Sequence, residues 1–414
     1  MGIAIEAVFS QYTLLMWFGK RQKRAYFDHA SATALCAQAA SAMHKAEHLV
    51  GNPGAIHAEG VAAMRVLKES REKIALHLGV KAREIIFTSG LTESDNLAIL
   101  GYARALERVR RTLVGTRWIV SAIEHDSVLE SFGEIERLGG TVVHISPDER
   151  GLFSPEQISR ELTEDTVFVS IGWANNEIGV MQPLSKIVRV IRAYEKEHGT
   201  TIAVHTDAGQ APLYVPTVLH SLDVDLVSMS AAKLYGPHGV GLLYVNPRIS
   251  IAKITFGGHQ ERSLRAGTEN VALAAGFAAA FDAFVSKRDD EAKRLKTLRD
   301  TLADLLQKSI PGLVVNGDLS RALPHLLNVS IPDISSEYVV LALDHEGFAV
   351  STKSACREGE EKLSHVVAAI TPERWRARNT LRFSLGEDSQ KYDIERLSET
   401  LSHIISQGAG ASAS

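Results

Sequence analysis

The sequence predicts an α/β fold: a large domain built on a mostly parallel sheet, followed by a smaller α+β domain. Three observations carry that expectation. Short apolar runs alternate with helical stretches over the first two-thirds of the chain. The runs are apolar throughout, as in strands buried on both faces. After about residue 270 the pattern changes to a long amphipathic helix and several short strands.

The strand candidates, in order, are "EIIFTSG" (84–90), "WIVSAIEH" (118–125), "TVVHIS" (141–146), "TVFVSIGWA" (166–174), "TIAVHTD" (201–207), "DLVSMS" (225–230) and Val240–Val245. Segments between them, such as "SDNLAILGYARALERVRR", carry helical periodicity. Leu295, Leu298, Leu302, Leu305 and Leu306 then recur at helical spacing until Pro311-Gly312 ends the helix. Short strands are expected in "GLVVNG", "HLLNVSI", "FAVSTKSA" and "TLRFSLG". The expected division is an arm over 1–30 packing on the small domain, a large domain over 31–288, a small domain over 289–405 and a disordered tail over 406–414.

Composition narrows the function. The chain has 414 residues, 45% apolar and 23% charged, as expected of a globular protein with a large core. Its 45 basic and 49 acidic side chains give a net charge of −4, so no basic excess points to nucleic acid. Two cysteines, Cys36 and Cys356, exclude a disulfide scaffold and fit a reducing, cytoplasmic compartment. The apolar "IAIEAVFSQYTLLMWFG" precedes the basic "KRQKR" but is interrupted by Glu6, Ser10 and Gln11. It is short for a membrane span, and its charge follows the apolar part, which argues against a signal peptide. It reads as an arm packing on the fold or on a partner chain.

Several strand ends carry polar groups suited to chemistry. In "FTSGLTESDN" a strand turns through Gly90 into a helix expected to begin near Thr92, with Asp95 placed for a capping box. Free N–H groups at such a start suit a phosphate, although most such junctions bind nothing. Asp207 ends an apolar strand in "VHTDAGQ", either as a ligand group or as a turn residue, with Gln210 three residues on. Asn176 in "NNEIG" and His125 in "IEHDS" follow other strands, and each has an equally ordinary structural reading. Lys233 sits in "SAAKLYGPHG" between two core strands, where desolvation would favour the neutral, nucleophilic amine. Taken alone it also reads as a surface lysine on a tight turn. Lys353 and Arg357 flank Cys356 in "STKSACREG", and positive charge favours a thiolate. Cys36, at the start of a helix after "SATAL", reads as a buried structural thiol.

The order of these blocks resembles one family. From "YFDHASAT" through "GNPGAIHAEG", "FTSGLTESDNLAI", "NNEIGVMQPL", "HTDAGQ", "KLYGPHGVG", "GGHQERSLRAGTEN" and "STKSAC" to "LRFSLG", the chain is similar to the cysteine desulfurases. These are pyridoxal 5'-phosphate (PLP) enzymes of the aspartate aminotransferase fold, and the likeness is to the group with a long Ser-Ala-Cys loop. The resemblance implies a seven-stranded large-domain sheet and a homodimer. It also implies a role for each candidate. Lys233 holds PLP covalently, Asp207 pairs with the ring nitrogen, and His125 stacks on the ring and assists proton transfer. Asn176 and Gln210 contact the ring's phenolic oxygen side, and Asn176 also meets the substrate. Leu91, Thr92 and Ser230 hold the phosphate, Thr268 reaches the phosphate of the partner subunit, and Arg382 clamps the substrate carboxylate. Cys356 takes sulfur from L-cysteine as a persulfide, leaving L-alanine, and passes it to an acceptor protein of iron–sulfur cluster assembly or tRNA thiolation. No metal is implied.

The chain departs from the family where Ser-x-His-Lys is usual, reading Ser230-Ala231-Ala232-Lys233. A hydrogen bond to a charged group contributes about 1.5–3 kcal/mol, so PLP affinity is expected to fall by roughly one to two orders of magnitude. His238 replaces a common lysine, and Lys353 a usual glycine. Alternative readings are a selenocysteine lyase or another class V PLP aminotransferase or lyase, and a non-catalytic dimeric scaffold with weakened PLP binding.

Overall fold

All seven large-domain runs form strands of one sheet. The computed structural model describes residues 24–352 and 363–411. Residues 1–23 of the expected arm, and Lys353, Cys356 and Arg357, lie outside the described residues.

The described chain opens with β1 (Ala25–Tyr26). The large sheet then contains β2 (Ile85–Thr88), β3 (Arg117–Ser121), β4 (Thr141–Ile145), β5 (Thr166–Ser170), β6 (Ala203–Asp207), β7 (Leu226–Ser230) and β8 (Gly241–Val245), in spatial order β2-β8-β7-β6-β5-β3-β4. β8 runs antiparallel to both neighbours, and the other pairs are parallel. β2, β5, β7 and β8 are buried along their whole length, which is why their sequences lack alternation. At Gly241 an added Cβ would lie 2.7 Å from the Gly90 carbonyl carbon and 2.7 Å from Met229 O, so β8 lies tightly against the turn after β2.

The helix Val271–Val285 packs on Ala37–Glu47 and Ala58–Leu78. Asn270 caps it through an Oδ1 contact to Leu273 N at 3.0 Å. The next helix, Arg288–Ser309, packs instead on Lys391–Ala411, so the chain leaves the large unit between Val285 and Arg288. The small unit holds an antiparallel sheet, β12-β10-β9, from β9 (Val314–Val315), β10 (Leu326–Ser330) and β12 (Thr380–Ser384). β11 (Phe348–Ala349) pairs in parallel with β1, which attaches the start of the described chain to the small unit. The C-terminal helix continues to Ala411, so the stretch 406–411 is helical where composition suggested a disordered tail. Among the described residues, no helix is long and apolar enough to cross a membrane.

Candidate active site

The carboxyl ends of β3, β5, β6 and β7 face a cavity of about 300 Å³, at the edge where open α/β sheets place ligands. Lys233, Asp207, His125, Gln210, Asn176 and Arg382 line it together, although they are spread over nearly 260 residues of sequence. Leu91 and Thr92 line it as well. Ser230 and Thr268 do not: Ser230 is buried at the end of β7, and Thr268 is exposed.

Each side chain arrives by a local cause. β7 ends in a single tight turn, Ala231–Lys233, which turns the half-buried Lys233 into the cavity. Its Nζ donates to Ala30 O at 2.9 Å and to Ser31 O. Ala232 is fixed through its backbone, its carbonyl accepting the Thr33 N–H and hydroxyl, both at 3.0 Å. Asp207 ends β6 and accepts the Gly209 N–H at 2.7 Å. Burial raises the Asp207 carboxyl, while that hydrogen bond and the nearby His125 and Lys233 act against the rise. Gln210 Nε2 donates at 2.9 Å to Ala30 O, the same carbonyl that Lys233 meets.

Arg382, on β12, is 1% exposed. Its Nη2 pairs with Asp28 Oδ1 at 2.8 Å and donates to Ser31 Oγ at 2.6 Å, and its Nη1 donates to Asn176 O at 3.0 Å. Its buried Nε has no hydrogen-bond partner among the described residues. Backbone bonds tie Arg382 to Ser351 in both directions. Where the described chain resumes at residue 363, Ser364 Oγ donates to the buried Glu177 at 2.5 Å, and His365 Nε2 lies 2.9 Å from Glu124 O.

Two readings are corrected. The helix starts at Leu91 with Gly90 as its cap, and Glu93 rather than Asp95 reaches back to the Ser89 N–H, at 2.6 Å. The start lies one residue earlier than expected, and Asp95 turns inward, fully buried. Cys36 is half-buried rather than buried, and caps the helix Ala37–Glu47 with Sγ 3.4 Å from Ala39 N. Asp28, Ser31 and Glu124 line or serve the site without having been singled out. Asp28 and Ser31 stood in the quoted "YFDHASAT" block, and Glu124 stood beside His125.

The donor set suits a flat, phosphorylated pyridine aldehyde. It offers an amine for the aldehyde, a carboxylate for the ring nitrogen and an imidazole for a ring face. N–H groups at the start of the helix Leu91–Arg110 suit the phosphate. Two glycines keep the lining flat. A Cβ on Gly209 would stand 2.6 Å from Leu91 Cδ2, and one on Gly172 would stand 2.9 Å from Glu124 Oε2.

The chain belongs to the class-V aminotransferase family, which it matches over residues 25–397. Within that family its likeness is to cysteine desulfurases, which are PLP enzymes. It is 38% identical over 385 residues to the cysteine desulfurase IscS of Dictyoglomus turgidum, covering 93% of this chain and 95% of that one. Among solved structures, a NifS-like protein superposes with a TM-score of 0.85 at 33% identity, covering 92% and 99% of the two chains. SspA in complex with cysteine superposes at 0.75 with 31% identity, covering 87% and 98%.

Proposed function

We infer that this chain is a PLP-dependent cysteine desulfurase that converts L-cysteine to L-alanine and carries the sulfur as a persulfide on Cys356. The observation that carries the reading is the convergence of Lys233, Asp207, His125 and Arg382 on one cavity. Lys233, Asp207 and His125, with Asn176 and Gln210, would hold PLP, and Leu91, Thr92 and Ser230 would serve its phosphate. Bound there, PLP supplies an electron sink for charge that develops at the substrate Cα.

The protein's own groups do the rest. Arg382 offers a planar fork to the substrate carboxylate, in exchange for part of its present pairing with Asp28 and Ser31. The Lys233 amine takes the Cα proton once it is neutral. Asp207 would pair with the ring nitrogen of bound PLP and favour its protonated form. The Cys356 thiolate attacks the substrate sulfur, forming an S–S bond as the Cβ–S bond breaks. The persulfide then passes to an acceptor protein, in iron–sulfur cluster assembly or tRNA thiolation. A homodimer would bring Thr268 of one chain to the phosphate of the other, and the setting is cytoplasmic.

Alanine and sulfide released from L-cysteine under a reductant test the reading. Wild type is expected to form both, and Cys356→Ser to lose sulfide formation by at least two orders of magnitude. Undiminished turnover by Cys356→Ser would overturn the role of that thiol.

A further inference from the structure

A second cleft, of about 530 Å³, lies in the small unit, lined by Pro332, Asp333, Leu363, Arg374, Trp375 and Arg378. The chemistry so far makes no use of it. Leu363 is the residue at which the described chain resumes after the segment carrying Cys356. The next residue, Ser364, donates its backbone N–H to Ala377 O at 2.8 Å, on the helix Arg374–Arg378 that forms one wall of the cleft. Its hydroxyl donates to the buried Glu177, next in sequence to Asn176 of the cavity lining. One residue thus ties the cleft to the candidate active site. Cys356 stands seven residues before Leu363, and an extended chain spans at most about 3.6 Å per residue, so the two lie within about 25 Å of each other.

The helical wall is basic with an aromatic centre. Arg374 and Arg378 lie four residues apart on the helix, both exposed, with the half-buried Trp375 beside Arg374. Arg376 is otherwise engaged: its Nε and Nη2 donate to Asn316 Oδ1 at 3.1 and 2.8 Å, and its Nη1 meets Glu373 at 3.4 Å. Arg374, by contrast, makes no ion pair among the described residues. Ser336 Oγ donates to Arg378 O at 3.1 Å and so brings up the helix Ser336–His345, on which Tyr338 and Leu341 are exposed. Arginine, tryptophan and tyrosine are the side chains that most often carry binding energy at protein interfaces.

The charge pattern favours a protein over a nucleic acid. Asp333 lines the cleft and Glu373 precedes Arg374, so a continuous phosphate chain would meet two carboxylates as well as two arginines. Separate carboxylates on a peptide reach the arginines and avoid that repulsion.

We propose that this cleft docks the protein that accepts sulfur from Cys356, through an acidic segment with carboxylates for Arg374 and Arg378 and an apolar side chain for Trp375. The guanidinium forks hold the carboxylates, and docking places the acceptor thiol within reach of Cys356. The acceptor thiolate attacks the outer sulfur of the Cys356 persulfide. An S–S bond to the acceptor forms as the bond to Cys356 Sγ breaks, and Cys356 leaves as a thiolate. This deepens the desulfurase reading and rests on it for the persulfide.

The probe is a labelled acidic peptide with one leucine and one cysteine, set against a basic peptide of equal length with the same thiol and a single-stranded RNA. By fluorescence anisotropy on the PLP-loaded protein, the acidic peptide is expected to bind at least tenfold tighter than either, and to weaken as salt is raised. The double variant Arg374→Glu, Arg378→Glu is expected to lose that binding tenfold or more, and the milder Arg374→Gln about threefold. With L-cysteine added, the double variant is expected to pass sulfur to the acidic peptide at least tenfold more slowly, while alanine formation under dithiothreitol stays within about twofold of wild type. Equal binding of the two peptides, tighter binding of the RNA, or undiminished binding or transfer by the double variant overturns the proposal. Absence of alanine formation by wild type would instead remove the desulfurase reading, and peptide binding, read without turnover, keeps the two failures apart.

Discussion

Glu124 lies next to Asp207 in the cavity wall, with Oε1 on the Gly172 N–H at 2.5 Å, and burial pushes its pKa up to about 8. Its ordinary value is 4.5, so between about pH 4.5 and 8 the folded chain binds more protons at this site than the unfolded chain. Stability from this group is therefore full below pH 4.5 and is lost as pH rises through 8, by up to about 1.4 kcal/mol per pH unit. In PLP-free protein, Glu124→Gln is expected to flatten the fall of stability across that window, read from denaturant midpoints; parallel curves for the two proteins would contradict it. Ala232→His is a second residue-scale case. Restoring an imidazole one residue before Lys233 is expected to tighten PLP binding about tenfold or more in a fluorescence titration, and an unchanged Kd would contradict it. Lys233, Asp207 and His125 were legible in the sequence because a polar side chain at the end of an apolar strand is conspicuous. Asp28 was not, because its partner Arg382 is 354 residues away and no local pattern records that pairing. Asp95 was misread because the cap is Gly90 rather than Thr92, two residues earlier, which moves the capping position to Glu93.

The segment carrying Thr268 leaves the large sheet through a left-handed turn of three non-glycine residues, Glu261, Arg262 and Ser263, with φ of 44°, 57° and 64°. Each such residue costs on the order of 1 kcal/mol or more, so the turn needs an anchor. Arg71 provides it through two 2.7 Å bonds to the buried Glu261 carboxylate, which also accepts the Phe87 N–H at 3.0 Å. Arg71→Ala would strand that carboxylate, and a loss of about 3–5 kcal/mol in unfolding free energy is expected in denaturant titrations. A loss below about 1 kcal/mol would show that the turn holds without it. The strands themselves were legible, since apolar runs bounded by turn residues leave few alternatives. The left-handed turn was not, because its conformation is imposed by an ion pair 190 residues distant.

Across the whole molecule, the site is assembled where two units meet. The large unit contributes Lys233, Asp207 and His125. The small unit contributes Arg382, whose strand is tied to the start of the described chain by Ser384 N to Phe27 O at 2.8 Å and His29 N to Ser384 O at 3.3 Å. A second tie joins Leu323 N to Gly179 O at 2.8 Å and Met181 N to Arg321 O at 2.9 Å. These backbone bonds fix Arg382 relative to Lys233, Asp207 and His125, so neither unit alone presents the full constellation. The change in sequence character after residue 270 suggested two units, whereas their docking depends on pairings across 140 to 357 residues of chain that composition does not encode.

The account stands on Lys233 as the amine that holds PLP in this cavity. Reducing the PLP-loaded protein with borohydride and mapping its peptides tests that directly. The predicted result is one pyridoxyl group per chain on the peptide containing Lys233; recovery of the label on another lysine, or on none, would contradict it.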